Sequence, residues 1–240
     1  MRRARRGPIG VPEVYRRLLG HRGPAGWWPA RSPFEVCLGA ILVQNTAWTN
    51  VEKALAVLRS RGLLSFAALC DRSADEIAPL IRSAGCFNVK ARRLRAFLDF
   101  LGREYGGRVE AMEQEDPWIL RAKLLDVPGI GRETADSIVL YAVGRPLFVI
   151  DAYTRRVFAR LGLIEGDEAY DVLQRLFMDT LPAEAALFGD YHAQVVILAK
   201  ETCRARPLCA ACPLREVCPR IGLDALEGRN ALTARELEAR

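Results

Sequence analysis

The stretch VPGIGRETAD, residues 127–136, combines residue types that could hold a phosphate: a proline, two glycines that flank one apolar residue, and a helix-forming run. Glycine permits the positive φ of a very tight turn and carries no Cβ that would keep a phosphate away. The following helix would direct its N-terminal N–H groups and the positive end of its dipole at the same turn. We therefore expect Gly129, Gly131 and Arg132 to contact a phosphate backbone. The alternative is a turn whose glycines only cap two core helices.

Asp151 is a second candidate for chemistry. It stands between the apolar run PLFVI (146–150) and the helical pattern AYTRRVFARLG (152–162), which is an N-cap position. Helix capping alone would explain it. A cap that follows an apolar run should be partly buried, however, and a partly dehydrated carboxylate can stabilise a developing cation or activate water. Asp151 is therefore a candidate catalytic residue as well as a cap.

Four of the seven cysteines fall within 16 residues, in the spacing C-x5-C-x2-C-x5-C: Cys203, Cys209, Cys212 and Cys218. Metal ligation is the expected role, because no secretory signal favours disulfides. Four thiolates suit an iron–sulfur cubane or a tetrahedral zinc ion, and the single C-x2-C pair counts against zinc. The isolated cysteines have apolar neighbours and are expected to be buried: Cys37, Cys70 and Cys86.

The segments that must position these residues are nearly all helical in pattern. Apolar residues recur at helical spacing in 11–20, 32–44, 50–62, 74–85, 89–106, 116–126, 133–144, 152–162, 169–181 and 189–203. Expected helix ends are Ser73 or Asp75, Asp116 with Pro117, and Gly62, Gly85 and Gly106. Only PLFVI is ambiguous between helix and strand. The sequence thus predicts an all-α protein.

The composition is that of a soluble protein with a polyanionic partner. The 240 residues carry a formal net charge of +6, and 50% are hydrophobic. Such a chain forms one large domain or two small ones, and its basic charge suits nucleic acid. No apolar run reaches the roughly 18 residues of a membrane span, and MRRARRGPIG lacks the apolar core of a secretory signal. We expect a cytoplasmic, nucleoid-associated bacterial monomer, with the basic N-terminus a solvated tail or a phosphate-binding arm.

The hairpin, the aspartate and the cysteines, in this order, resemble the endonuclease III branch of the helix–hairpin–helix DNA glycosylases over residues 11–219. LVQNTAWTNVEKAL (42–55) looks like the segment whose glutamine enters DNA at the lesion, which points to Gln44. GCFNVKARRL (85–94) looks like the second DNA-probing loop, with Cys86 or Phe87 near the wedge position. Asp151 matches the catalytic aspartate. The cysteines look like [4Fe-4S] ligands, although their first gap is one residue shorter than is usual.

The resemblance implies two helical lobes, with double-stranded DNA bound across the cleft between them and the damaged base flipped out of the duplex. One lobe is expected to be a six-helix bundle over 31–140 that ends in the helix–hairpin–helix. The other is expected to join 1–30 to 141–220 and to carry the [4Fe-4S] loop. Residues 221–240 are expected to form a C-terminal tail.

Glu133 departs from family members that also cut the DNA strand, because those carry a lysine at this position. The lysine amine attacks the sugar and forms a Schiff base, which a carboxylate cannot do. The nearest earlier lysine is Lys123, ten residues away. The departure predicts a monofunctional glycosylase in which water is the nucleophile and Glu133 orients that water or contacts the base. The alternatives are an endonuclease III-like glycosylase with lyase activity and a non-catalytic damage-binding module.

The pattern GxGxETAD and the QNT segment resemble the 3-methyladenine branch, which has a lysine in its base pocket. Lys200 falls at about that place, and a solvated or phosphate-facing role is its alternative. The extra domain of adenine-mismatch glycosylases is not expected, because 22 residues follow Cys218. Alkylated purines carry positive charge, so their removal calls for aromatic stacking and a carboxylate. Candidates for the pocket are Trp27, Trp28, Trp48, Phe87, Tyr141 and Tyr191, with His192 as either a pocket residue or a structural hydrogen-bond partner.

Overall fold

A computed structural model describes residues 9–223, and the regular structure of these residues is entirely helical. The α-helices are α1 (Val11–Arg22), α2 (Pro33–Leu42), α3 (Trp48–Ser60), α4 (Phe66–Leu69), α5 (Ala74–Ile77), α6 (Phe87–Tyr105), α7 (Pro117–Leu125), α8 (Arg132–Ser137), α9 (Ala152–Arg160), α10 (Tyr170–Met178) and α11 (Ala185–Glu201). Short 3-10 helices cover Ala78–Ala84, Val109–Gln114 and Cys209–Ala211. The all-α prediction is confirmed.

The two expected tails lie almost wholly outside the described residues. Of the basic N-terminal stretch only residues 9–10 are described, and of the C-terminal tail only residues 221–223. Among the described residues, no helix is long and apolar enough to cross a membrane.

The described residues divide into two compact units. One unit, here called the hairpin unit, comprises Trp27–Val149 and Ala183–Gly189 and contains α2 to α8. The other, here called the cysteine unit, comprises residues 9–26, Ile150–Pro182 and 190–223. It contains α1, α9, α10 and most of α11. The lobe bounds implied by the resemblance stay a prediction.

The core helix of the hairpin unit is α2. Ser32 caps its first turn, with Ser32 Oγ accepting a hydrogen bond of 3.2 Å from the Glu35 N–H, and Pro33 follows the cap. Nine of the ten residues of α2 are buried. A helix buried on all sides needs neighbours on all sides, and α3, α6 and α8 pack around it. The loop 43–47, which carries Gln44, therefore begins directly after the end of a buried, well-packed helix.

The long helix α6 packs one face against that core. Its buried residues recur at helical spacing: Lys90, Ala91, Leu94, Phe97, Leu98, Phe100, Leu101 and Tyr105. The helix begins directly after Cys86, which has a left-handed backbone with φ 45°, and ends at Gly106 with φ 57°. Two cationic residues, Lys90 and Arg93, lie one turn apart near its N-terminus.

One expected helix, 74–85, is divided in two. The first part, α5, begins at a capping box in which the Ser73 hydroxyl accepts from the Glu76 N–H and the Glu76 carboxylate accepts from the Ser73 N–H. The second part is the 3-10 helix Ala78–Ala84, whose first turn contains Pro79. Proline lacks the N–H that a continuous α-helix would use, and this accounts for the change.

The second helix of the hairpin is also interrupted. The pattern predicts one helix over 133–144, but α8 ends at Ser137 and a π-helix, Ile138–Ala142, follows it. The Val143 N–H donates to the Ile138 carbonyl at 3.1 Å, which is the i→i−5 bond of a π turn. PLFVI (146–150) forms no regular structure, and its residues Leu147 to Ile150 are buried.

The cysteine unit has an aromatic core. The ring centroids of Phe158 on α9 and Phe177 on α10 lie 4.7 Å apart, and those of Phe177 and Tyr191 on α11 lie 5.9 Å apart. The Tyr191 hydroxyl donates to the Val11 carbonyl at 2.6 Å and so ties α11 to α1. Tyr191 is therefore a core residue, and burial raises its pKa well above the ordinary value.

Candidate catalytic site and DNA interface

The hairpin that joins α7 to α8 presents an open edge. Val127 and Ile130 are each 5% exposed, so their side chains are buried in the core. Gly129 and Gly131, in contrast, are exposed. Gly131 is the N-cap of α8, and no described side chain caps that helix end. A Cβ added at Gly131 would meet no described heavy atom within 4 Å. The turn therefore leaves space at Gly131 for close approach of a ligand to the backbone.

Gly129 has a different structural role from Gly131. Its φ of 88° lies in the region that favours glycine. A Cβ at this position would lie 2.3 Å from Arg93 Cγ and 2.7 Å from Arg93 Cδ. The space that a side chain would occupy at residue 129 is thus filled by the aliphatic stem of Arg93.

The structure brings Gln44 to the hairpin. The half-buried Gln44 side chain donates from Nε2 to the Gly129 carbonyl at 3.0 Å and to Thr134 Oγ1 at 2.9 Å. Its Oε1 accepts a hydrogen bond from Arg93 Nη1. Three sequence-distant elements, the loop 43–47, α6 and the hairpin, therefore meet at one glutamine side chain.

The second probing loop lies at the N-terminus of α6. Phe87 is half-buried, with the Arg82 guanidinium 5.4 Å from its ring centroid. Cys86 is exposed, so the expectation that it would be buried was wrong: it occupies the tip of the turn between two helices. Cys70 is only half-buried, while Cys37 is buried as expected.

Lys90 is a functional candidate that the sequence reasoning missed. It is 3% exposed, and its Nζ donates to the Leu42 carbonyl at 2.8 Å and to the Ala84 carbonyl at 2.7 Å. Burial lowers its pKa. These carbonyls immediately precede the two probing loops, so one ammonium ties both loops to α6. The sequence gives no signal that separates Lys90 from the other cations of GCFNVKARRL.

Arg132 and Glu133 are exposed on the first turn of α8, where an acidic side chain is favoured by the helix dipole. Behind them, α7 and α8 are held together by a buried ion pair. Arg121 Nε lies 2.6 Å from Asp136 Oδ1, and Asp136 is fully buried. The pair fixes the angle between the helices that carry the hairpin.

Each lysine of the hairpin unit lies away from the position of residue 133 in the sequence and has its own surroundings. The whole chain contains four lysines: Lys53, Lys90, Lys123 and Lys200. Lys90 is buried against two carbonyls, Lys123 forms an ion pair with Glu115, and Lys53 is exposed on α3. The position where a Schiff-base amine is expected in strand-cutting relatives carries the Glu133 carboxylate.

Asp151 caps α9, as predicted, in the cysteine unit. Its Oδ1 accepts a hydrogen bond of 2.6 Å from the Thr154 N–H, and its Oδ2 lies 3.4 Å from His192 Nε2. The side chain is buried, with 8% of the residue exposed. Burial by itself raises the pKa of Asp151, but the interactions with His192 and the Thr154 N–H outweigh burial and hold it below the ordinary value. The group is therefore an ionised carboxylate at neutral pH.

Lys200 lies on α11, two helical turns after His192, and is exposed. The exposure favours a solvated or phosphate-facing role over a place in a closed pocket.

The four clustered cysteines are half-buried in the loop that follows α11. Arg160 Nη1 donates to Cys203 Sγ at 3.3 Å. Burial raises the pKa of the Cys212 thiol, and the charges of the other three cysteines raise it further, so the four lie in one neighbourhood. This donor set fits thiolate-bound iron or zinc. Within residues 9–223, however, no three His, Cys, Asp or Glu side chains stand in a metal-binding arrangement.

Four aromatic residues form one group in the hairpin unit. The Trp28 ring centroid lies 5.2 Å from that of Trp48 and 5.1 Å from that of Tyr141, and Trp27 lies 6.1 Å from Trp48. A Cβ added at Gly39 would lie 3.3 Å from the Trp48 ring, so this glycine lets α2 approach the group closely. The buried Nε1 atoms of Trp27 and Trp28 have no hydrogen-bond partner in the described part of the chain. The group therefore offers π faces together with indole donors.

Comparison with known proteins identifies the family. The model of the HhH-GPD superfamily base excision DNA repair proteins matches residues 38–183. The chain is 44% identical over 199 residues to a putative DNA repair glycosylase of Methanocaldococcus jannaschii, covering 82% of this chain and 90% of that protein. It is 29% identical over 179 residues to the endonuclease III of Thermotoga maritima, covering 72% and 75%. The structure of the H. pylori 3-methyladenine DNA glycosylase bound to 1,N6-ethenoadenine superposes with a TM-score of 0.71 at 28% identity, covering 80% and 98%.

The chain belongs to the HhH-GPD superfamily of base excision DNA repair proteins. Within that superfamily it is an endonuclease III-like DNA glycosylase, which confirms the resemblance found in the sequence.

Proposed function

We propose that the protein is a monofunctional DNA glycosylase. It hydrolyses the N-glycosidic bond of a damaged base, with alkylated purines as the substrate class, and leaves the strand uncut. The observation that carries the proposal is Glu133, an exposed carboxylate on the first turn after the hairpin. Strand cleavage through a Schiff base requires an amine at the sugar, and a carboxylate there leaves water as the nucleophile.

Asp151 is the proposed catalytic carboxylate. Because its pKa is lowered, it is ionised at neutral pH and suited to stabilise positive charge rather than to donate a proton. Positive charge develops on the sugar as the glycosidic bond breaks. The Thr154 N–H holds Oδ1 in place and His192 Nε2 lies 3.4 Å from Oδ2, so the carboxylate is already oriented when that charge appears. Glu133 is proposed to orient the attacking water or to contact the base.

The aromatic group supports the choice of alkylated purines. Such bases carry positive charge, which is attracted to the face of an indole ring. Trp27, Trp28 and Trp48 provide three indoles within one group. The solved H. pylori relative, a 3-methyladenine glycosylase, holds an ethenoadenine. A positively charged leaving group departs readily, which is consistent with a site built around a carboxylate.

The DNA contacts are proposed to come from the probing loops and the hairpin. Gln44 and Phe87 act at the lesion, while Gly129, Gly131 and Arg132 hold the phosphate backbone near it. Lys200 adds a phosphate contact from α11. These phosphate contacts position DNA without reading its sequence.

We also propose a [4Fe-4S] cluster held by Cys203, Cys209, Cys212 and Cys218. Support comes from the chemistry of four neighbouring, half-buried thiols and from the Arg160 N–H directed at Cys203 Sγ. When bound, such a cluster would cross-link the loop after α11 through its four thiolates. Metal analysis of the purified protein, together with its visible thiolate-to-iron absorption, distinguishes iron from zinc. Zinc at one equivalent without iron would contradict the assignment.

The proposal is tested with duplexes that each contain one damaged base: an alkylated purine, hypoxanthine, uracil, an oxidised pyrimidine, or adenine opposite oxidised guanine. Free base and strand breaks are measured with and without hot alkali. We expect release of an alkylated purine, with strand breaks only after alkali. Efficient borohydride trapping on abasic DNA would contradict monofunctional action. If the wild-type protein binds damaged DNA but releases no base, the non-catalytic alternative is correct.

A further inference from the structure

We propose that Arg93 is a positioning residue that holds the damage-probing glutamine, Gln44, against the DNA-binding hairpin. The relative position of Gln44 and the hairpin is therefore fixed before DNA binds. The inference rests on the proposed roles of Gln44 and the hairpin in DNA binding. It does not depend on which lesion is excised.

The Gln44 amide has complementary partners at its two ends. Arg93 carries only hydrogen-bond donors, so it selects the amide oxygen, and the Gly129 carbonyl is only an acceptor, so it selects the amide nitrogen. The hydroxyl of Thr134 takes a second bond from the same nitrogen. Arg93 and Gly129 together therefore specify one orientation of the amide, and a guanidinium makes the stronger, charge-assisted bond of the set.

The stem of Arg93 makes a second contact with the hairpin. It fills the space beside Gly129 that a Cβ would occupy, with its Cγ 2.3 Å from that position. Arg93 is therefore held by packing of its stem against the backbone of the turn and by the hydrogen bond that its guanidinium donates to Gln44. A residue that touches the hairpin with its stem and the glutamine with its head joins the two directly.

Lys90 supports the same arrangement one turn earlier on α6. It bonds the carbonyl of Leu42, two residues before Gln44. The helix α6 thus holds the probing loop at its backbone through Lys90 and at its side chain through Arg93. A glutamine held in this way has lost part of its rotamer freedom before DNA arrives, which lowers the entropic cost of engaging a lesion.

The test uses a probe from which no base can be released: a duplex with a tetrahydrofuran abasic analogue opposite 2-aminopurine. Fluorescence of the 2-aminopurine reports whether the base opposite the gap is unstacked. Binding of this duplex is compared with binding of an undamaged duplex of the same sequence. The variants are Arg93→Met, Gln44→Ala and their combination. Arg92→Met is the matched control, because Arg92 is an exposed neighbour and its substitution removes the same charge.

We expect Arg93→Met to lower the preference for the abasic duplex about tenfold, the size expected for loss of one charge-assisted hydrogen bond, and to reduce the fluorescence change. Arg92→Met should weaken binding to both duplexes equally, as loss of a phosphate-directed charge does. In the Gln44→Ala background, Arg93→Met should have no further effect on the preference, because the two residues act as one. Arg93→Lys keeps the charge and a flexible stem and should fall between wild type and Arg93→Met.

Additive losses from Arg93→Met and Gln44→Ala would overturn the proposal, as would an Arg93→Met protein that behaves like Arg92→Met. Thermal unfolding of each variant identifies general destabilisation. If Arg93→Met does not fold, the same cycle is run with Arg93→Lys, and additivity there counts equally against the proposal. A protein that excised a different lesion, or none, would still give a definite result, because the probe contains no base to release at the gap.

Discussion

Asp151→Asn separates the catalytic role of this residue from its role as a helix cap. Asparagine can still accept the Thr154 N–H bond that the aspartate now accepts at 2.6 Å, and the two residues are about equally good N-caps. What is lost is the negative charge. Removing one preorganised electrostatic partner of a developing charge costs about 100-fold to 1,000-fold in rate, or about 2.7–4 kcal/mol of transition-state stabilisation. We therefore expect that loss of rate with the helix cap retained, and a loss of stability limited to the contribution of the ionised carboxylate.

The assay is single-turnover release of an alkylated purine, with product strands revealed by hot alkali. Asp151→Ala is the comparison, because it removes both the charge and the cap and should also lower the free energy of unfolding by about 1 kcal/mol. The two variants should be similar in rate and different in stability. An Asp151→Asn enzyme within about threefold of the wild-type rate would refute the electrostatic role, since threefold corresponds to only about 0.7 kcal/mol.

The lowered pKa of Asp151 adds a pH dependence to the same comparison. The folded state favours the carboxylate, so ionisation of Asp151 stabilises the fold above the ordinary aspartate pKa of about 3.9. That contribution is lost as the pH falls through the lowered pKa of the folded state. Denaturant unfolding of wild type and Asp151→Asn should therefore differ by a constant amount at neutral pH and converge in acid. A difference that grew as the pH fell would contradict the assigned direction of the shift.

Four further substitutions test the hairpin unit. Glu133→Lys, at an exposed position, should fold with a loss of no more than about 1 kcal/mol from the helix dipole and should gain a borohydride-trapped adduct with abasic DNA, unlike the control Glu133→Gln. Gly129→Ala should lower the free energy of unfolding by about 1–3 kcal/mol, because the backbone has positive φ and the space is filled. Gly131→Ala meets open space, so its only structural cost is a poorer N-cap of about 1 kcal/mol or less, and it should weaken DNA binding. Asp136→Asn should cost about 3–5 kcal/mol in denaturant unfolding, because it removes one charge of the buried Arg121–Asp136 ion pair.

A Glu133→Lys protein that folds and binds abasic DNA without trapping would mean that residue 133 does not reach the sugar. Equal loss of stability in Gly129→Ala and Gly131→Ala would mean that the two glycines are not distinguished by their surroundings. An Asp136→Asn protein as stable as wild type would mean that the ion pair is replaceable.

The features predicted correctly from the sequence are those determined by neighbouring residues. Asp116 and Asp151 were expected to start helices, and both accept backbone N–H bonds within three residues of themselves. Capping is local chemistry, so a short pattern is enough to reveal it. The interrupted helix after Ser137 was missed because a π turn depends on packing of the buried segment Ile138–Ala142 rather than on a breaker residue.

The contacts that assemble the probing surface were missed because they join distant parts of the chain. Lys90 bonds a carbonyl 48 residues away, and Arg93 bonds a side chain 49 residues away. In the sequence both are ordinary cations on an amphipathic helix, where the most common arrangement is a solvated side chain. Nothing in the spacing of GCFNVKARRL distinguishes a buried lysine from an exposed one. Only the path of α2 and of the hairpin shows which cations face inward.

The pattern GxG in the hairpin therefore has two separate physical causes. Gly131 has a φ of −94° and open space where its Cβ would be, so neither strain nor crowding requires glycine there; the N-cap position tolerates it, and close approach of a phosphate favours it. Gly129 is required by the protein alone, since its φ and the Arg93 stem both exclude a side chain. Because Arg93 also bonds Gln44, the glycine that makes the turn possible makes room for the residue that connects the turn to the lesion probe. Loss of Gly129 should consequently impair both hairpin geometry and lesion preference, whereas loss of Gly131 should leave lesion preference intact and weaken backbone binding.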